Sequence, residues 1–180
     1  MADNGEPTRE EKIADALRAA PAYIAQSATV VDWDMTTVLR AGSPDWTCVP
    51  TSRGTPDPAP MCNDPTMMQW FMELAAGKTP TIDRIGISYM LLGEVGADFN
   101  DPMATQPPEG KDWYQAGPHV MFVFPNGTGG ILAGIGQDTD SGLPYVRPIP
   151  RAEGLLVVPV AKPGETVCRC ASGCSCGCNG

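Results

Sequence analysis

Positive charge is scarce in this chain. Twelve Lys and Arg stand against 21 Asp and Glu, a net charge of −9 over 180 residues. No basic cluster offsets the excess, so phosphate backbones are repelled and nucleic acid is not an expected partner. Long hydrophobic runs are missing too. None approaches the roughly 20 apolar residues that span a bilayer, so no membrane span is expected. The segment from Met1 to Glu11 has neither a basic flank nor an apolar stretch. No signal peptide reads out of it, and the chain as written reads as cytoplasmic; a protein exported and stripped of its leader would read the same.

Several site motifs are absent. Gly127, Gly129, Gly130, Gly134 and Gly136 match neither the dinucleotide fingerprint nor the P-loop, so they are expected to serve turns and bulges. Gly86-Ile-Ser88-Tyr-Met90 starts like a nucleophile elbow but has Met where the second glycine belongs. A Ser88–His119–Asp98 or Ser88–His119–Asp101 triad rests on residue type alone. Asp98, Asn100 and Asp101 lack the EF-hand spacing, and Asp101-Pro102 reads as the start of a turn. Met67, Met68, Met72 and Trp70 read as core packing, with a copper–thioether site as the lesser alternative.

What the chain has in excess is cysteine at one end. Five of its seven cysteines, Cys168, Cys170, Cys174, Cys176 and Cys178, fall in the last thirteen residues. Arg169 is the only large side chain between them, so the segment cannot bury enough surface to fold alone. The spacing C-x-C-x3-C-x-C-x-C is a dense supply of thiolate, which suits soft ions such as Cu(I) and Zn(II). Four thiolates complete a tetrahedral zinc site with Zn–S near ~2.3 Å. Two- or three-coordinate Cu(I) in a shared cluster would use all five. Finger-knuckle and ferredoxin spacings are absent, which disfavours a zinc finger or an iron–sulfur centre. Two alternatives involve no metal. In one, the tail is an inert end whose cysteines oxidise at random. In the other, it is a precursor segment modified by another protein.

The rest of the chain reads as one α+β domain over residues 8–161, with a flexible N-terminus (1–7) before it and a linker (162–167) after it. Prolines and glycines, 19 and 20 in number, imply many turns. Thr8 and Glu11 form a capping box for a helix whose apolar face carries Ile13, Ala16, Leu17 and Ala20 and which Pro21 ends. Strands are expected at 28–33, 35–40 and 46–49, and a proline-rich loop at 50–60. A second helix is expected from Asp64 as N-cap and Pro65 as first residue to Gly77. Further strands are expected at 85–92, at 119–124, around Tyr145 and at 155–160. Residues 93–117 read as one long polar loop, a length that tends to be functional. Asn126-Gly127 could turn a hairpin into a strand at 131–135. Hairpin-length connections point to two early helices packed on a mostly antiparallel sheet.

Cys48 and Cys62 bracket the proline-rich loop. A disulfide between them would close about 15 residues and contribute on the order of 3 kcal/mol. It needs an oxidising compartment, whereas a thiolate tail needs reducing conditions or bound metal. The competing reading is a Cys48/Cys62/His119 metal site with the chain's only histidine.

Trp46-Thr-Cys48, Pro60-Met-Cys62, Ile85-Gly-Ile-Ser-Tyr-Met90, Asp101-Pro-Met-Ala-Thr105, Gly117-Pro-His-Val-Met121 and Pro144-Tyr145 together resemble a family of bacterial proteins with no assigned activity. The likeness covers roughly residues 10–160. It implies a genuine fold, the Cys48–Cys62 pairing and frequent export, but no reaction. The cysteine tail departs from the family pattern and resembles metallothionein segments only in C-x-C density.

The leading expectation is therefore a binding protein. Its tail would sequester a thiophilic metal or exchange it with a donor or acceptor protein. The first alternative is a body that presents the tail to a modifying protein. The second is an enzyme or small-ligand domain that uses loop 93–117 and His119, with no reaction class favoured.

Overall fold

A computed structural model describes residues 6–52, 55–56, 58–101, 104–126, 130–162 and 165. The cysteine tail, most of the linker and the first five residues lie outside that set, and so do the expectations placed on them.

Helix α1 spans Arg9–Ala16. The Thr8 side chain accepts from Glu11 N, and Glu11 Oε2 accepts from Thr8 N at 2.8 Å, so the expected capping box is formed. The helix ends earlier than expected. Arg18 and Ala19 make tighter i→i−3 bonds, and the Ala19 carbonyl accepts from Leu91 N across the fold. Pro21, expected to close this helix, instead N-caps a one-turn helix α2, Ala22–Ala25. A tertiary hydrogen bond has overridden the local helical pattern.

Ten strands follow around helix α3. In chain order they are β1 Ala28–Val31, β2 Val38–Arg40, β3 Ser43–Val49, β4 Met61–Asn63, β5 Gly86–Met90, β6 Glu94–Gly96, β7 Tyr114–Ala116, β8 His119–Val123, β9 Tyr145–Arg147 and β10 Leu155–Pro159; α3, Pro65–Ala75, lies between β4 and β5. Eight form one sheet in the order β2-β1-β3-β4-β5-β8-β10-β9, and β6 with β7 forms a separate ribbon. Only the β1–β3 pairing in the large sheet is parallel. The fold is α+β with a large, mostly antiparallel sheet.

Helix α3 is written locally. Asp64 accepts from Met67 N at 2.7 Å, and Pro65 takes the first turn, where no N–H is needed. Gly77, at φ +72, closes a Schellman motif in which Gly77 N bonds Leu74 O and Lys78 N bonds Glu73 O. Its Met67, Trp70, Phe71 and Leu74 share one buried cluster with Met90, Met121, Val123, Leu155 and Val157 from the sheet. Gly86 allows the close approach, because a Cβ there would lie 2.7 Å from Met67 N. A second cluster joins Ala16, Ala19, Ala20 and Ile24 to Val30, Leu39, Cys48 and Cys62.

Two expectations are corrected, and one strand was not foreseen. Residues 131–135 are turns rather than a strand, with Gly130 and Gly134 at φ +83 and +84 and Ile131 exposed. Glycines in left-handed conformation break the extended run that the apolar residues suggested. Residues 93–117 are not one loop, since β6 and β7 pair within them. Strand β4 follows the proline-rich loop immediately, a three-residue segment too short to show periodicity.

Candidate functional site

A disulfide joins Cys48 and Cys62, which face each other in the β3–β4 register with both residues buried. The competing Cys48/Cys62/His119 metal site is not formed. Among the described residues no three His, Cys, Asp or Glu side chains gather as ligands. Cys168, Cys170, Cys174, Cys176 and Cys178 lie outside the described residues. Met67 and Trp70 are core, whereas Met72 is half exposed, so these residues do not share one environment.

His119 begins β8 and is 1% exposed. Its Nδ1 lies 2.6 Å from Gly117 O. A carbonyl only accepts, so Nδ1 carries the proton and donates, leaving Nε2 as a lone pair in the neutral ring. Nε2 is 4.0 Å from Glu94 Oε2 and has no hydrogen-bond partner among the described residues. Ser88 does not complete a triad: its Oγ is buried and equally unpartnered in mid-strand β5. Asp98 is occupied elsewhere, with Oδ1 accepting from Asn100 N.

What the fold gathers beside His119 is a charged pair with two tyrosines. Arg147, inward-facing on β9, is 1% exposed. Its Nη1 donates to both oxygens of Glu94 at 3.0 and 2.9 Å, Nε donates to Phe99 O at 2.7 Å, and Nη2 donates to Asp98 O at 3.0 Å. The guanidinium also lies 4.7 Å from the Tyr114 ring centre, a cation–π contact. The Tyr114 and Tyr145 hydroxyls meet at 2.5 Å. Phe99 packs edge-on against Tyr114 with ring centres 5.2 Å apart. The β6–β7 ribbon supplies Glu94 and Tyr114, the main sheet supplies His119, Tyr145 and Arg147, and Phe99 comes from the segment after β6.

Burial dominates the electrostatics. It pushes the Tyr114 hydroxyl well above the usual tyrosine range, helped by the Glu94 charge and Tyr145, and it raises Tyr145 as well. Both stay neutral donors at ordinary pH. For Arg147 burial works against the charge, but Glu94 and the tyrosines outweigh it and the guanidinium is raised further. Burial lowers His119 against the opposing pull of Glu94 and the Gly117 bond.

A stability test follows from the histidine. Its folded pKa is below the unfolded value of ~6.5, so between the two the unfolded chain binds more protons. The stabilisation is therefore complete above about pH 6.5 and is lost as pH falls toward the folded value, with a limiting slope of about 1.4 kcal/mol per pH unit. His119 is the only histidine, and the lowered carboxylates Glu11, Asp34, Glu73 and Asp83 act below that window. Urea unfolding at pH 7.5, 6.5 and 5.5 should show the decline in the wild type and a flat profile in His119→Gln. Equal slopes in the two proteins would count against a histidine buried in its neutral form.

Among the cavities that border the cluster, two differ in what they reach. One of about 330 Å³ touches His119, Tyr145, Asp140 and Lys162. The other, of about 230 Å³, lies over the sheet and is walled by Trp33, the end of the proline-rich loop, and residues of loop 93–117 that include Glu94 and Trp113. Sequence reasoning selected His119 and the loop but missed Glu94, Tyr114, Tyr145 and Arg147. One local signal was available: Arg147 follows Tyr145 at the two-residue period of a strand and so shares its inward face.

Among the described residues no helix is long and apolar enough to cross a membrane. No protein-family model matches the chain, and neither a curated protein nor a solved structure shows significant similarity to it.

Proposed function

We propose that the protein binds a thiophilic metal ion, Cu(I) or Zn(II), and sequesters or delivers it through Cys168, Cys170, Cys174, Cys176 and Cys178. The observation that carries this reading is the segregation of the thiols. Cys48 and Cys62 are consumed by each other inside the body, and the remaining five cysteines fall in thirteen consecutive residues with little else to bury. Thiolates so spaced satisfy a soft ion, and bound metal keeps them from oxidising. The α+β body, with α1 and α3 as the helices laid on its sheet, serves as carrier, and a metal donor or acceptor protein is the implied partner.

The test compares the wild type with a full-length variant whose five tail cysteines are serine. Both are purified under mild reduction, loaded with Zn(II) or Cu(I), desalted and measured for bound metal. At least one tightly held equivalent is expected in the wild type, with loss of essentially all of it in the variant. Thermal unfolding of the body should be unchanged by chelation, because the body carries two buried apolar clusters of its own. Equal metal in the two proteins would overturn the proposal.

A second reading concerns the body itself. The segment 93–117 brings Glu94 onto Arg147 at the wall of the 230 Å³ cavity, and His119, 4.0 Å from Glu94, lines the 330 Å³ one, which favours a small-ligand-binding domain.

A further inference from the structure

Met35, Met61, Met90 and Met121, four of the chain's nine methionines, border the cavity of about 230 Å³ over the sheet. Met67, Met68 and Met72 of α3 do not. Sheet register explains how three of the four converge. Cys62 pairs with Tyr89, so the next rung sets Met61 on β4 beside Met90 on β5. Met90 pairs with His119, which puts Met121 two residues along β8, on the same face and diagonal to Met90. Cβ atoms across a rung lie ~4.5–5.5 Å apart and diagonal residues ~7–8 Å apart, within reach of long side chains. Met35 packs against the same buried cluster from the turn between β1 and β2, where it takes up φ +58.

Methionine commonly fills irregular gaps in a core. These four instead border a gap, and a thioether sulfur is a soft, uncharged ligand that suits Cu(I). Glu94 and Arg147 also line the cavity but are bonded to each other, which balances the guanidinium charge. Half-buried Trp113 adds an aromatic face, which attracts a cation.

Redox conditions point the same way. The Cys48–Cys62 disulfide persists in an oxidising setting. Free thiols are drawn into disulfides there, whereas thioethers cannot form them. A thioether also loses no proton when it binds a metal, unlike a thiol. A body that holds a soft ion beside its own disulfide is therefore best served by methionine sulfur.

We propose that this cavity is a separate Cu(I) site in the body, with the sulfurs of Met61, Met90 and Met121 as ligands and Met35 and Trp113 beside the ion. The proposal takes its ion from the metal-carrier reading but uses no tail residue, so either can fail while the other stands. Uncharged thioethers hold Cu(I) less tightly than thiolates do. Metal in the body is therefore lost on desalting, and its occupancy is read at equilibrium.

The probe is Ag(I) in chloride-free buffer, a closed-shell monovalent ion like Cu(I) that needs no reductant. The protein is the full-length variant whose five tail cysteines are serine, so the tail supplies no sulfur. Trp33 and Trp113 line the cavity, so tryptophan fluorescence reports occupancy, and calorimetry gives the stoichiometry. One equivalent should bind with a Kd of about 10 µM or tighter. Met61→Leu/Met90→Leu keeps apolar volume and should weaken binding at least about tenfold, with the fold checked by circular dichroism. Met61→Leu alone, at a part-buried position, should weaken it at least about threefold should the double variant not fold. Met72→Leu, away from the cavity, should leave it unchanged. No saturable Ag(I) binding would overturn the proposal, and so would unchanged affinity in the folded Leu variants at Met61 and Met90. Zn(II) bound as tightly as Ag(I) would show that oxygen rather than thioether sulfur holds the ion, and would overturn it as well.

Discussion

Arg147→Ala is expected to lower the free energy of unfolding by about 3–5 kcal/mol. The reason is what it leaves behind. Glu94, with its side chain 13% exposed, loses both hydrogen bonds to Nη1 and becomes an uncompensated carboxylate. The Phe99 and Asp98 carbonyls lose their donors in the same step. Removing one member of a buried pair costs the desolvation of the other, a larger effect than the net worth of the pair. The double variant Glu94→Leu/Arg147→Met removes both charges and keeps apolar volume in place. It should therefore be clearly more stable than Arg147→Ala, though still below the wild type because the two carbonyls stay unpaired. Urea unfolding of the three proteins measures this. A double variant as unstable as Arg147→Ala would show that the charge left on Glu94 is not the source of the loss.

Trp70→Ala should cost a similar amount, about 3–5 kcal/mol, by a different route. Trp70 is 1% exposed and packs edge-on against Phe71 with ring centres 5.2 Å apart. It lies in the cluster that ties α3 to β5, β8 and β10, so truncation leaves a void beneath the sheet that neighbouring strands cannot close without breaking their ladder. Met72, two residues along the same helix, is 48% exposed and offers an internal control. Met72→Ala should change stability by no more than about 0.5 kcal/mol. Chemical denaturation of the two variants separates burial from helix propensity, which changes little in either. Comparable losses at both positions would mean that α3 does not hold the core through this face.

Both effects bear on how far the chain could be read unaided. Helix α3 was readable from end to end because its signals are local. Asp64 caps it, Pro65 fits its first turn, Gly77 ends it, and the buried Met67, Trp70, Phe71 and Leu74 repeat at helical spacing. Strands β5, β8 and β10 were readable as apolar runs. The disulfide was one of two readings, and only the register that sets Cys48 against Cys62 decided between them. The failures have physical causes as well. The 131–135 segment carries strand-like residues, but its glycines take up positive φ. The capping box fixed where α1 begins, and a carbonyl claimed by Leu91 fixed where it ends.

The amino-acid sequence by itself determined the acidic, α+β character, the capped helices, the main apolar strands and the isolation of five cysteines at one end. These are matters of composition, short-range periodicity and local hydrogen bonding. Tertiary structure alone decided that Glu94 and Arg147, 53 residues apart, share a buried ion pair, and that Tyr114 meets Tyr145 beside His119. Partner choice at that separation depends on strand order and on where the β6–β7 ribbon meets the large sheet. Hydrophobic periodicity specifies which face of a strand is buried and carries no information about which distant polar group will be buried beside it.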